Sequence, residues 1–453
     1  MPEMDIQTGP RARIISFNQE GEAICASAAR ISTTQGSADE IFEAARGSEK
    51  NRALISKVLR SGHKSTLEHA VFTLSMRNVS VYVEQFFIES RLASFTVKSR
   101  RYVDFGGFGY YVPPELEGQD LTAYRLYMDR LFAAYRDLLD LGVPKEDARF
   151  LLPYSFYSNF YCTLNARELA AIIRQMRCGR GSHVPELQNI ADQLTKQLES
   201  LFPALLPELA GNRKPPVPPP SHHPDSLPDT PVFISQSEAG AVQLLSAPAK
   251  PLEMLRMAHR AACPLSDDVL DLKALLQSQR PRELEQLPYT FLLSGVTLSG
   301  VTHIVRHRMQ SVIVPPIESV VQGRYIVPDT VARDPAALSC YRAALETAYG
   351  TVQELSPVLR RYGYHYALSG GLMDLMTTMN ARELLHFMRL RTCNRAQWEI
   401  RAIATEMLRQ LRGSFRELFG LYGPSCYLSG RCPEGTLSCG KIEEVSAKFG
   451  QEL

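Results

Sequence analysis

The sequence predicts two mixed α/β domains in tandem, on three observations. Two motifs recur in the same order and at nearly the same spacing. Glu89-Ser90-Arg91 leading to Ser99-Arg100-Arg101-Tyr102 is echoed by Arg306-His307-Arg308 leading to Arg324-Tyr325. Thr163-Leu164-Asn165-Ala166-Arg167-Glu168-Leu169 is echoed by Thr378-Met379-Asn380-Ala381-Arg382-Glu383-Leu384. Arg91 precedes Arg308 by 217 residues and Asn165 precedes Asn380 by 215, a period far longer than solenoid repeats, so each copy is a domain. A proline-rich run, Pro215-Pro216-Val217-Pro218-Pro219-Pro220, falls between the copies. Finally, 453 residues with 45% apolar content can fill a core in each half.

The elements follow in order. Apolar periodicity predicts an opening helix from Ile41 to Leu59, and β-branched runs predict strands at Phe72–Leu74 and Val79–Val83. Helices are expected at Leu121–Leu141 and Arg167–Gln175. Prolines lack a backbone donor and favour extended geometry, so residues 212–232 read as a semi-rigid linker between domains at 1–211 and 233–453; the alternative is a ligand for a proline-reading domain. The second half repeats the plan with a helix at Ser266–Leu276, a strand at Tyr289–Val296, and helices at Ala336–Tyr349, Arg382–Leu390 and Gln397–Phe419. Asn165 and Asn380 each precede a Glu by three, a loose capping box that starts a helix on the next residue, so either Asn is explained by capping alone.

A formal charge of +2 with dispersed basic residues argues against a dedicated nucleic-acid surface and leaves a small anionic ligand open. No run of about 18 apolar residues suggests a membrane span. Nine Cys without a paired framework, and no apolar signal segment after Met1, lead to the expectation of a reducing cytoplasm. Cys426, Cys432 and Cys439 could take zinc with Cys393 or a His, but their gaps are wider than usual, and free thiols are the expected state, with no metal.

Arg306 and Arg308 place two permanent cations around the His307 imidazole, which suits phosphates or an anionic ring edge; ordinary surface ion pairs are the alternative. These residues resemble the flavin-dependent thymidylate synthases, whose signature is Arg-His-Arg, seven residues, Ser, and shortly afterwards Arg-Tyr. The first half keeps the gap from Arg91 to Ser99 and then Arg101-Tyr102, but its triplet has become Glu89-Ser90-Arg91. The second half keeps the triplet, while ten residues separate Arg308 from Ser319, Pro315-Pro316 interrupts them, and Arg324-Tyr325 comes late. Each copy retains what the other has lost. Further matches are His63, Ser65, Glu68 and His69 before the first strands, and Ala148-Arg149-Phe150-Leu151-Leu152-Pro153. The most specific match is Asn380 to Arg391 followed by Gln397-Trp398-Glu399; in the first half Arg177 aligns with Arg391 only after a one-residue shift.

The resemblance implies antiparallel sheets with flanking helices, and a tetramer-like site shared between domains, here a homodimer forming a pseudo-tetramer. It implies FAD, with NADPH and methylenetetrahydrofolate as cosubstrates, and C5 methylation of dUMP to dTMP. His63, Ser65, Arg306, His307, Arg308, Asn380 and His386 would hold flavin. Arg91, Ser99, Arg101, Tyr102, Arg149 and Arg391 would hold the nucleotide. Arg308, Arg391 and Ser99 would serve the chemistry, with Arg391 polarising the uracil edge. Buried ion pairs or interface contacts are the plain alternative for these arginines. Val97 stands where the family has Glu, and Phe86 and His303 where it has Gln, so another pyrimidine acceptor, or a non-catalytic flavin- or nucleotide-binding homologue, are further readings.

Overall fold

In the computed structural model, the described residues are 9–209, 228–264, 269–317, 320 and 323–452. The backbone forms two four-stranded antiparallel sheets flanked by helices, the architecture the sequence predicts. The first contains β1 (Arg11–Phe17), β2 (Val71–Ser80), β3 (Ala93–Val97) and β4 (Tyr157–Asn165), ordered β1-β2-β4-β3. A two-stranded parallel pair, β5 (Val232–Ser235) with β9 (Arg324–Val327), is an addition the sequence did not announce. The second large sheet contains β6 (Ala241–Ser246), β7 (Pro288–Thr297), β8 (Gln310–Ile313) and β10 (Leu372–Asn380), ordered β6-β7-β10-β8. The two sheets therefore share one topology.

The repeat extends to side-chain detail. Gln197 brackets β1, donating to the Ala12 carbonyl at 2.9 Å and accepting from the Ile14 amide at 2.8 Å. Gln410 does the same to Val242 and Leu244 on β6, at 2.7 and 2.8 Å. Thr73 pairs with Thr163 across β2 and β4, and Thr290 with Thr378 across β7 and β10. Arg167–Glu68 recurs as Arg382–Glu285. Such cross-strand and helix-to-edge bonds fix register in both copies.

The contacts divide the chain into two compact units, 1–227 with 339–368, and 228–338 with 369–453. The departure from a head-to-tail division is 339–368, which belongs with the first unit. Aromatic burial explains it: Tyr127 donates to the Tyr366 carbonyl at 2.9 Å, Tyr124 and Tyr366 meet edge-on at 5.7 Å, and the Tyr154 amide donates to Ala367 at 2.8 Å. Inside the first unit, Phe72, Leu74, Leu169 and Ile190 form part of a core behind the sheet; Phe291, Leu293, Leu384 and Met407 do so in the second.

Several expected elements differ in detail. Val81–Val83 is not a strand: β2 ends at Ser80, whose hydroxyl accepts from the Val83 amide and starts the Val81–Ile88 helix. That helix is buried throughout, so it shows no polar face to betray its period. Ile41–Leu59 is two helices, Ala38–Ala45 and Lys50–Arg60, separated where Arg46 is extended and Gly47 takes φ +65°. Of the helix expected at Ser266–Leu276, Leu272–Gln277 is helical and capped by Asp271; residues 266–268 lie outside the described residues, as do 212–227 of the linker and Ser319. The helices Gly118–Asp140, Ala166–Cys178, Pro335–Gln353, Ala381–Arg391 and Trp398–Phe419 stand within a few residues of expectation, the last kinked at Phe415.

Candidate functional site

In the second unit, two chain turns converge. β7 runs into the short Leu298–Ile304 helix, capped by Thr297, and the Arg306-His307-Arg308 triplet follows its end. β8 then pairs with β10, Gln310 opposite Met379, so the triplet lies beside the helix that begins after Asn380. Gln310, which the sequence reading passed over, locks this turn: its amide donates to the Ile304 carbonyl at 2.5 Å, and its oxygen accepts from Thr377 at 2.8 Å.

His307 is buried at 4% exposure with both ring nitrogens engaged. Arg391 Nε donates to His307 Nε2 at 2.9 Å, so Nε2 is the acceptor and the proton sits on Nδ1, which faces Glu383 Oε1 at 2.9 Å. Burial holds the His307 pKa below its ordinary value, and the Arg391 charge adds to that; Glu383 opposes it. The result is a fixed, neutral relay from guanidinium through imidazole to carboxylate. Arg391 also donates to the His303 carbonyl at 3.3 Å. Asn380 Oδ1 accepts from the Glu383 amide at 2.9 Å, so the capping reading is correct and its Nδ2 is the group left for a ligand.

Beside this relay is a cleft of about 400 Å³ whose lining includes Asn380, Arg382, His386 and Arg389, with Met309, Pro281 and Leu385 as apolar walls. Arg389 donates to the Leu276 carbonyl at 2.8 Å, and Arg382 is paired with Glu285. Arg306, Arg308 and His386 are exposed. This unit thus brings together His307, Asn380, His386 and Arg391, with the two exposed arginines flanking His307 in the triplet.

The first unit holds the other set. After β3, the 98–104 segment carries Ser99, Arg101 and Tyr102. Ser99 Oγ accepts from the Arg101 amide at 3.4 Å, and the Ser99 carbonyl accepts from Val103 at 3.1 Å. Arg101 Nε meets Glu146 at 3.0 Å, and Arg149, buried, donates to the Glu146 carbonyl at 2.9 Å. Tyr102 is 58% exposed, with the Arg101 guanidinium 5.4 Å from its ring centre. Ser99, Arg101, Tyr102 and Arg149 therefore form one group about Glu146. His63 and Ser65 are exposed on the turn Lys64–His69 and its start.

The complementary losses have visible physical forms. Glu89, in the place of Arg306, is bound by Arg180 and accepts from Gln85 at 2.7 Å; Arg180 also lies 4.5 Å over the Phe86 ring and donates to the Phe86 carbonyl. Arg91 is exposed and acts electrostatically on Glu168. Arg177 pairs with Asp192 at 2.9 Å. In the second unit, Tyr325 is buried in β9 and Arg324 faces Asp374 at 3.8 Å, so this late Arg-Tyr pair belongs to a strand where Arg101-Tyr102 belongs to a turn. Among the described residues no three His, Cys, Asp or Glu side chains are arranged to hold a metal ion, and no helix is long and apolar enough to cross a membrane.

The family model described as thymidylate synthase complementing protein matches residues 13–204 and again 255–415. A flavin-dependent thymidylate synthase from Geobacter sulfurreducens is 33% identical over 196 residues, covering 41% of this chain and 82% of the relative. One from Clostridium tetani is 32% identical over 197 residues, covering 38% and 78%. The crystal structure of a UMP/dUMP methylase from Streptomyces cacaoi bound with 5-Br dUMP is 24% identical, covering 46% of this chain and 97% of that one, with a TM-score of 0.38.

Proposed function

Since the chain belongs to the thymidylate synthase complementing protein family, matched twice along its length, we propose that it is an FAD-dependent enzyme that methylates C5 of dUMP, with methylenetetrahydrofolate as one-carbon donor and NADPH as reductant. The observation that carries this reading is the Arg391–His307–Glu383 relay beside the cleft. The relay holds the half-buried Arg391 guanidinium in a fixed place through the buried His307, and a preorganised cation of this kind stabilises developing negative charge.

The residues present fit a flavin. Amide, guanidinium and imidazole donors line the cleft together with the apolar Pro281, Met309 and Leu385, and its two carboxylates, Glu285 and Glu383, are already paired with Arg382 and His307, which suits a planar ring carrying hydrogen-bonding edges. Asn380 Nδ2, His386, Arg306 and Arg308 are the groups to hold it, with His63 and Ser65 contributed by a first-half domain. When bound, flavin supplies the hydride. Ser99, Arg101, Tyr102 and Arg149 grip the nucleotide phosphate and sugar, the guanidinium forks matching phosphate oxygens; Arg91 adds positive charge. Arg391 orients on the uracil edge and steadies charge as C5 becomes nucleophilic, and Arg308 does so from the flavin side. His307, neutral, keeps Arg391 in place without competing for the anion.

Because the two residue sets belong to different halves, the reading is of composite sites in a homodimer acting as a pseudo-tetramer, in the cytoplasm. The Glu89–Arg180 pair occupies the first-half triplet, so one flavin per chain is expected. The test is the visible spectrum of the purified protein, a dUMP titration of the reduced enzyme, and an assay of dTMP formation. Arg308→Ala and Arg101→Ala are each expected to abolish dUMP-dependent turnover; unchanged turnover in both would refute the composite site.

A further inference from the structure

The functional residues of the first-half turn alternate with one that points the other way. Ser99 and Arg101 lie at intermediate exposure and Tyr102 is open, whereas Arg100 between them is buried. Its guanidinium forms an ion pair with Glu84, which is fully buried on the Val81–Ile88 helix. The second oxygen of Glu84 accepts from the Ser158 hydroxyl on β4, and the Arg100 guanidinium sits 5.5 Å from the Phe156 ring centre. A carboxylate and a guanidinium are costly to bury and are tolerated where they satisfy one another.

The duplication supplies an internal control. At the 217-residue offset Glu84 corresponds to Val301, and at the 215-residue offset Ser158 corresponds to Met373. In that half the segment after the triplet runs through Pro315-Pro316, and its Arg-Tyr pair lies in β9. In the copy without the ionic anchor, the Arg-Tyr pair lies in a strand instead of a turn. A requirement of the core alone would not track the turn in this way, because both copies keep the same sheet order and the same capped start to this helix.

We propose that Glu84, Arg100 and Ser158 are positioning residues: the buried pair draws the 98–104 turn onto the sheet, so that Ser99, Arg101 and Tyr102 face outward to the nucleotide. The turn is then ordered before substrate arrives, and the conformational entropy of ordering it is not charged against binding. This rests on the reading of Ser99 and Arg101 as the nucleotide grip, yet the anchor itself can be tested without a ligand.

The experiment uses the full chain with Glu84→Val and Arg100→Met together, which removes both charges and leaves no unpaired ion in the core. A thermal melt first establishes that the double variant folds; Ser158→Ala, which leaves the ion pair in place, serves as a second variant. Hydrogen exchange over 97–104 is measured without ligand, and dUMP affinity on the flavin-loaded protein. The expected result is about tenfold faster exchange in that turn and about tenfold weaker dUMP binding, with flavin content unchanged and a smaller loss in Ser158→Ala. Exchange unchanged within about twofold in the folded double variant overturns the anchor. If the unaltered protein does not bind dUMP, the functional reading fails while the exchange result still decides the anchor.

Discussion

His307 carries its proton on Nδ1 and is held neutral by burial, and this sets how the fold meets acid. A His whose folded pKa lies below its ordinary value of 6.5 contributes stability that is intact above that pH and is lost as pH falls through the folded value. His365, fully buried 3.8 Å from Glu186 and also shifted down by desolvation, acts in the same direction. Melts recorded from pH 8 to pH 5 are therefore expected to show a level midpoint above about 6.5 and a decline below it, and His307→Gln should flatten part of that decline. A midpoint that rises on acidification would refute the assignment. The sequence exposed His307 through its flanking arginines, but not its surroundings: Glu383 looked like a capping residue, and Gln310 carried no signal of its own. Arg100 lies inside the Ser99–Tyr102 motif and gave no sign of its inward direction, because its partner Glu84 is 16 residues away, on a helix whose first three residues read as the end of a strand.

Among the elements, the two helices that begin after Asn165 and Asn380 form a matched pair. Each Asn accepts from the amide three residues on, at 2.9 Å, so replacing either with Ala should cost a similar amount, about 1 kcal/mol. Only Asn380→Ala is expected also to weaken flavin binding, read as a lower flavin-to-protein ratio after gel filtration. Equal flavin content in both variants would reduce Asn380 to a cap. The long amphipathic helices were legible because a polar face records their period. The Val81–Ile88 helix was not, since burial on every side erases that record, although Ser80 offered the capping signal. Only β2 and β7 were read as strands; the short β1, β3, β6 and β8 leave four to seven residues of alternation to read, and β4 and β10, nine residues each, were missed as well, their pairing partners lying far along the chain.

At the scale of the whole molecule, the duplication was legible from repeated motifs, while the membership of 339–368 was not, because nothing local tells a tyrosine-rich segment which core it will enter. Its burial against Tyr124, Tyr127 and Tyr154 gives a further expectation. Residues 1–227 expressed alone should be poorly soluble or bind a hydrophobic dye, and co-expression with 228–453 should restore a stable, flavin-binding species; a well-folded 1–227 fragment with a cooperative melt would contradict this. The same segment bears on the history of the gene. A tandem duplication is ordinarily reversible, since unequal crossing-over between the copies can restore a single one. Once the first unit takes up thirty residues encoded in the second copy, a recombinant that keeps only the first copy encodes an incomplete unit, and one that keeps only the second leaves that tyrosine-rich segment without the core it enters, so the route back to a single copy is obstructed on both sides.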